Sequence, residues 1–491
     1  MYSKNDEIQV VIDGLGNEGE GIAHIDGFPF FIKDTAIGDR VRAQVMKVKK
    51  NLGFARLITV EEPSKDRIRP ECPVSRSCGG CTLQHISYEA ELKYKEDKVF
   101  NCLQRLGGVD IKDLEEAREG ICKMDYPFRY RNKAQYPIGI NREGKAIAGF
   151  YSGRTHSITE EEDCRLSPPE FGQILRIILD FIDEYGIGVY DEASGQGLFR
   201  HVFIRKGFNT GEIMVCLVLT SDKLPRETEL VNRLKDFPGI SSICINVNPD
   251  KTNVILGDRI RLLFGKPYIE DILCGLRFRI SPLSFYQVNP VMTEKLYKKA
   301  MEYAGLFNPG FSGELLDICC GIGTISLYAA SLAKNGIIRG IEIVPEAVKD
   351  AEENAGLNGI KNAFFTAAAA EDFLPSRAAS KEPFMPPKAV IADPPRKGLK
   401  PETLDALATL SPERIVYISC DPATLARDIK FLSARGYRLK NYKVFDQFAR
   451  TGHVETVCLL SNRKPDSYVH LNLKMEDYYR IKDAQKEQDK K

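Results

Sequence analysis

LLDICCGIGT, residues 315–324, is an apolar run that ends on an acid and breaks into a glycine-rich turn. It reads as a buried strand entering a helix, with glycines that let the backbone approach a nucleoside ligand. The next apolar segment, IIRGIEIV, carries Glu342 at the spacing where an acid after such a turn can bind ribose hydroxyls. From about residue 282 onward strand and helix patterns alternate, as a parallel α/β sheet requires. Nicotinamide-binding chains share this arrangement but favour GxGxxG, and CGIGT has no third glycine in register.

In a doubly wound sheet the carboxyl ends of the strands face one crevice, so residues far apart in sequence converge there. Three downstream strings supply such residues: DPPRKG at 393–398, SCDPATLARD at 419–428 and HVE at 453–455. Asp393, a strand-end acid followed by rigid prolines, suits an enzyme that holds a base against a methyl donor, and it weighs against nicotinamide. Cys420 follows the apolar run Arg414 to Ile418, a buried parallel strand. Methylating an amine nitrogen needs no thiol, whereas carbon 5 of a pyrimidine becomes nucleophilic only after something adds to carbon 6. Cys420 is placed for that addition, and Glu455 is the candidate base for the proton that must then leave carbon 5. Asp393 is read as a contact to either the base edge or the donor. Cys216, Cys244 and Cys458, on apolar strands, read as structural thiols.

Upstream, residues 125–280 mix strands (YRNKAQYPI, GFYSG, HVFIRKG, and others near 212–219 and 242–247) with a helix near 169–185, an α+β pattern. Before them lies Cys72-x5-Cys78-Gly79-Gly80-Cys81, three thiols in a ten-residue loop whose glycines permit tight turns. Cys164, in EEDCRLSPPE, is the chosen fourth ligand, and four thiolates suit either tetrahedral zinc or an iron-sulfur cube. A separate donor turn argues against that cluster binding a methionine-derived donor itself. A polar amphipathic helix spans about 88–106. Residues 1–62 hold five short alternating segments separated by Gly and Asp turns, an OB-like barrel, with Lys47, Lys49, Lys50 and Arg56 clustered on one hairpin as an RNA contact.

The expected layout is therefore multidomain. It comprises a barrel at 1–62, a cysteine loop and central α+β domain at 63–281 whose helix 88–106 packs on the catalytic domain, a Rossmann-like α/β domain at 282–465, and a charged tail at 466–491. With 69 basic and 68 acidic residues the net charge of +1 selects no partner, so any nucleic-acid surface is local. Thirteen cysteines without a secretory leader argue for reduced thiols, and the charged start and lack of a long apolar run for a cytoplasmic protein with no membrane association.

Read together, these motifs resemble the RNA uracil-5-methyltransferase family, in particular its branch with an N-terminal TRAM domain and a four-iron four-sulfur cluster. The resemblance runs nearly end to end: GEGIA, CPVSRSCGGCTLQH with DC at 163–164, FYQVN at 285–289, DICCGIGT, IEIV, DPPRKG, SCDPATLARD and HVE fall in order. It implies S-adenosyl-L-methionine as donor, Cys420 as nucleophile and Glu455 as base. Gln287, Cys319, Gly321, Glu342 and Asp393 would line the donor site, and Cys72, Cys78, Cys81 and Cys164 would hold a [4Fe-4S] cluster. The substrate it implies is RNA, ribosomal first and transfer RNA second, with no obligate protein partner. The alternative of another class is a non-catalytic RNA-binding or assembly factor with a vestigial donor site. Phe285 or Tyr286 would stack on flipped bases, and Arg129, Arg131 and Lys133 would grip phosphates. Two positions depart from the family pattern: Cys319, where a bulkier residue is usual, and the alanine-rich TAAAAEDF at 366–373, which leaves Glu371 and Asp372 as open donor contacts.

Overall fold

The computed structural model describes residues 2–153, 155–308, 310–379 and 386–462; the charged tail expected at 466–491 lies outside them. Six strands between Glu7 and Glu62 form the N-terminal sheet, which encloses Ile8, Val10, Phe30, Ile32, Val41 and Val45. The sheet is antiparallel except at one place, where Phe28–Ile32 and Gly53–Glu62 pair in parallel. Gly53 sits at that junction because a Cβ there would run into the Phe30 ring.

The central seven-stranded sheet is antiparallel except for the pair Ile213–Leu219 and Ile240–Val247. The helix Pro169–Tyr185 buries its apolar stripe, Phe171, Ile174, Leu175, Ile178 and Ile182, against this sheet. It starts at a proline in the first turn and stops at Gly186, whose φ of 59° gives the left-handed cap.

The third sheet positions the site. Its eight strands run Ala363–Ala367, Asn335–Glu342, Ser312–Ile318, Ala389–Ala392, Arg414–Ser419, Glu455–Asn462, Tyr437–Phe445 and Arg118–Cys122. The first five are parallel and Glu455–Asn462 is antiparallel to both of its neighbours. Strand order reverses between Ser312–Ile318 and Ala389–Ala392, so the crevice for a ligand opens at the carboxyl ends there. The helix Tyr88–Arg105 packs on Pro422–Ser433 of this layer. The layout read from sequence needs one correction. Residues 118–122, assigned to the central domain, are the outermost strand of the C-terminal sheet, and the polar sequence REGIC gave no sign of it.

Candidate active site

Cys420 directly follows the strand Arg414–Ser419, and Glu455 opens the neighbouring antiparallel strand. Because that neighbour runs the other way, its first residue lies at the edge where the parallel strands end. Ser419 pairs with Thr456, which puts Cys420 and Glu455 side by side. Asp393 follows the next parallel strand, Ala389–Ala392. Cys420 is partly buried; burial, joined by the nearby charges of Glu455 and Asp393 and opposed by Arg396, pushes its thiol up to about 11. Burial and the charge of Asp393 hold the Glu455 carboxyl well above the usual range, and burial pushes Asp393 up to about 7. Glu455 is 5% exposed and its Oε2 has no hydrogen-bond partner. Burial and their like charge raise the proton affinity of both carboxyls, which suits a group that must accept a proton during a reaction. Arg396 acts on both Cys420 and Glu455; it lies in DPPRKG, and a cation directly after the two prolines was the signal for it.

The glycine turn ends the strand Ser312–Ile318. Cys319, Gly321 and Gly323 take φ values of 65°, 54° and 83°. Gly323 is needed for packing, since a Cβ there would press on Ala351 and Phe365 at 3.1 Å, whereas a Cβ at Gly321 would meet nothing within 4 Å. The chain is thus bare of side chains where it faces open space. Glu342, at the end of the adjacent strand, accepts from the Gly321 amide at 3.0 Å and the Val344 amide at 3.1 Å, which fixes its carboxylate at the mouth of the turn. Cys319 tolerates the left-handed backbone although it has a Cβ, and both its amide and that of Cys320 donate to the Ile341 carbonyl. Beneath the turn Asp317 is fully buried, accepts from Ser326 at 2.5 Å and is pushed up to about 7 by burial. Gln287 comes from the segment before the helix Pro290–Ala304; its backbone carbonyl accepts from Asn132 Nδ2 at 3.0 Å and its side chain lies 3.5 Å from Gln447 Nε2.

The four chosen cysteines line one cavity of about 290 Å³ together with Arg131, Lys133 and Arg165. Gly79 allows the loop to close on the strand Ala146–Tyr151, since a Cβ would lie 2.8 Å from the Tyr151 carbonyl. Burial raises the thiols of Cys72 and Cys78 and pushes Cys81 up to about 12, and each is raised further by the charge of Cys164. Among the described residues no three His, Cys, Asp or Glu side chains converge in metal-holding geometry. The three central-domain residues read as phosphate grips are used otherwise. Arg129 pairs with Asp163 at 2.6 and 3.0 Å and donates to the Cys164 and Ser167 carbonyls, so it builds the Cys164 turn. Arg131 and Lys133 face the thiol cavity, where burial lowers Lys133 to about 8. Tyr286 is core, 3% exposed with its hydroxyl donating to Asp271, while Phe285 is 67% exposed. Lys47, Lys49, Lys50 and Arg56 are exposed around one hairpin of the N-terminal sheet.

A Rossmann-like sheet with a bare glycine turn, a fixed acid on the next strand and strand-end groups converging beside them is the build of an S-adenosyl-L-methionine-dependent methyltransferase. Comparison with known proteins agrees. The model of the tRNA (uracil-5-)-methyltransferase family matches residues 254–463 and that of the TRAM domain residues 4–58. The chain is 43% identical to an uncharacterized RNA methyltransferase of Halalkalibacterium halodurans, covering 93% of this chain and 97% of that one. It is also 43% identical to another from Clostridium acetobutylicum, with the same coverage. Among solved structures it resembles the Pyrococcus abyssi tRNA (uracil-54, C5)-methyltransferase in complex with S-adenosyl-L-homocysteine, at a TM-score of 0.73 and 27% identity over 92% of this chain and all of that one. The chain belongs to the RNA uracil-5-methyltransferase family and carries a TRAM domain. Among the described residues no helix is long and apolar enough to cross a membrane.

Proposed function

We propose that the chain methylates carbon 5 of a specific uridine in RNA through a covalent adduct between Cys420 and carbon 6 of the base. The observation that carries this reading is the pairing of Ser419 with Thr456, which sets Cys420 beside Glu455. S-adenosyl-L-methionine supplies the methyl group. The Cys420 thiolate forms the sulfur–carbon 6 bond, and the ring electrons move to carbon 5, which takes the methyl as the donor's sulfur–methyl bond breaks and S-adenosyl-L-homocysteine leaves. Glu455 then removes the proton from carbon 5; the returning electrons rebuild the ring double bond and expel the thiolate. Gln287, Glu342, Asp393, Gly321 and the backbone of Cys319 form the donor side, with Asp393 close enough to Cys420 and Glu455 to serve the base edge as well.

The reading extends to a [4Fe-4S] cluster held by Cys72, Cys78, Cys81 and Cys164. What supports it is that the four thiols line one cavity with Arg131, Lys133 and Arg165, cations that would offset an anionic four-thiolate group, although a cluster would have to draw the sulfurs into a ligand geometry they do not hold on their own. It serves structure rather than the methyl transfer. Ribosomal RNA in the cytoplasm is the first substrate reading, from the four-cysteine and TRAM combination. Transfer RNA is the second, favoured by the fold shared over 92% of the chain with the Pyrococcus enzyme.

The test is to map 5-methyluridine in ribosomal and transfer RNA from cells with and without the gene, then to assay two variants. Cys420→Ala should abolish methylation and covalent trapping by RNA containing 5-fluorouridine. Glu455→Gln should accumulate a denaturation-resistant adduct with ordinary RNA. Full activity of Cys420→Ala would end this mechanism.

A further inference from the structure

The loop Asp446 to Val454 delivers Glu455 to the crevice, and parts of the chain remote in sequence hold it along its length. Asp446 accepts from the Lys95 ammonium and from the Tyr88 hydroxyl, both at 2.5 Å. Lys95 also donates to Glu91 at 2.8 Å and to the Phe448 carbonyl at 3.1 Å. The Ala449 carbonyl accepts from the Tyr130 hydroxyl at 3.0 Å. The Arg450 amide donates to Glu91 at 2.7 Å, while its guanidinium lies over the rings of Tyr88 and Phe128. Its carbonyl accepts from the amides of Thr82 and Leu83 at 3.0 and 3.1 Å. The Thr82 hydroxyl accepts from the Gly452 amide at 3.1 Å, and the Gly452 carbonyl accepts from Lys98 at 2.9 Å.

This support sets one position for the loop. Glu91, Lys95 and Asp446 are wholly buried and Arg450 nearly so, two acids and two bases in a medium where an unpaired charge is costly; a shifted register would strand at least one of them. Arg450 takes a φ of 67°, a left-handed conformation that persists in a residue with a Cβ only where its contacts over-determine it. Glu455 needs such support from its backbone, because its buried Oε2 has no hydrogen-bond partner.

We propose that Arg450 and Thr82 are positioning residues for Glu455, holding the carboxylate where it meets the carbon 5 proton. The inference rests on the reading of Glu455 as the base. Thr82 follows Cys81 directly, so the packing of the cysteine loop and the placement of the base are mechanically one.

The test separates the step Glu455 performs from the steps before it. Trapping on 5-fluorouridine RNA needs attack by Cys420 and methyl transfer, but the fluorine on carbon 5 cannot leave as a proton does. In Thr82→Ala and Arg450→Lys, trapping should stay within about twofold of the unmodified protein while turnover on ordinary RNA falls about tenfold to a hundredfold, the effect of a small misplacement of a catalytic group. The missing turnover should appear as a denaturation-resistant adduct, and Thr82→Ser should restore it. Trapping and turnover that fall in proportion would mark a merely structural role and overturn the proposal. An adduct in Glu455→Gln but in neither support variant would overturn the positioning role alone. No adduct in Glu455→Gln would remove Glu455 as the base, and the proposal with it.

Discussion

Alkylation of Cys420 by iodoacetamide should be slow for an active-site thiol and should climb tenfold per pH unit through about pH 9 without a plateau. Burial, with the charges of Glu455 and Asp393, raises this thiol from an ordinary 9.0 to about 11. At neutral pH that leaves roughly a hundredfold less thiolate than an unperturbed cysteine would have. The thiolate that does form is the stronger nucleophile: a Brønsted slope of about 0.4–0.5 over two units returns roughly six- to tenfold. The two effects oppose, ionisation wins, and the net rate should be about tenfold below that of an ordinary exposed cysteine. Neutralising one of the charges that raise the thiol, in Glu455→Gln, should speed alkylation at fixed pH. Arg396→Ala should slow it, because Arg396 opposes the shift. Peptide mass spectrometry isolates the Cys420 signal from the other cysteines. A plateau below about pH 9, or the same change of rate in both variants, would refute the account of burial and like charge.

Gly321→Ala should lower the melting temperature by only a few degrees, the cost of an alanine at a φ of 54° where no atom crowds its Cβ, yet weaken S-adenosyl-L-homocysteine binding in titration calorimetry. Asp317 is protonated in the folded chain up to about pH 7 against 3.8 for an ordinary aspartate, so the native state holds the extra proton and stability should fall as pH rises from about 4 to 7; Asp317→Asn should flatten that slope in thermal melts. Protein purified anaerobically should be brown, with iron and sulfide near about four each per chain, and Cys78→Ser should lose them along with RNA affinity; a colourless, zinc-loaded protein would refute the cluster.

The placement of Asp393, Cys420 and Glu455 was legible because each sits where a strand ends or begins, and a run of apolar residues marks every such strand. Of the cysteine loop the structure shows only that Cys72, Cys78, Cys81 and Cys164 line one cavity. What stayed hidden depends on partners remote in sequence. Tyr286 could be read as a stacking ring until Asp271 and the surrounding core claimed it. Arg129 in a basic string looked like a phosphate ligand, and only the turn at Asp163 to Ser167 shows what it holds. Nothing in KYKED announces that Lys95 meets Asp446, since a lysine on an amphipathic helix is ordinarily solvated.

The strand Arg118–Cys122 closes the edge of the C-terminal sheet beside Tyr437–Phe445, across a separation of about 300 residues. On a ribosome adding about 5–20 residues each second, the first of the pair waits roughly 15–60 s for the second. A polar strand can wait without sticking to its neighbours, and REGIC carries two charges in five residues. A fragment that begins after it would instead leave the edge of Tyr437–Phe445 bare, with its amides and carbonyls free to recruit another chain. The methyltransferase sheet is thus completed by a piece of the chain synthesised long before it, and a fragment cut at the start of the Rossmann-like region lacks the strand that covers this edge.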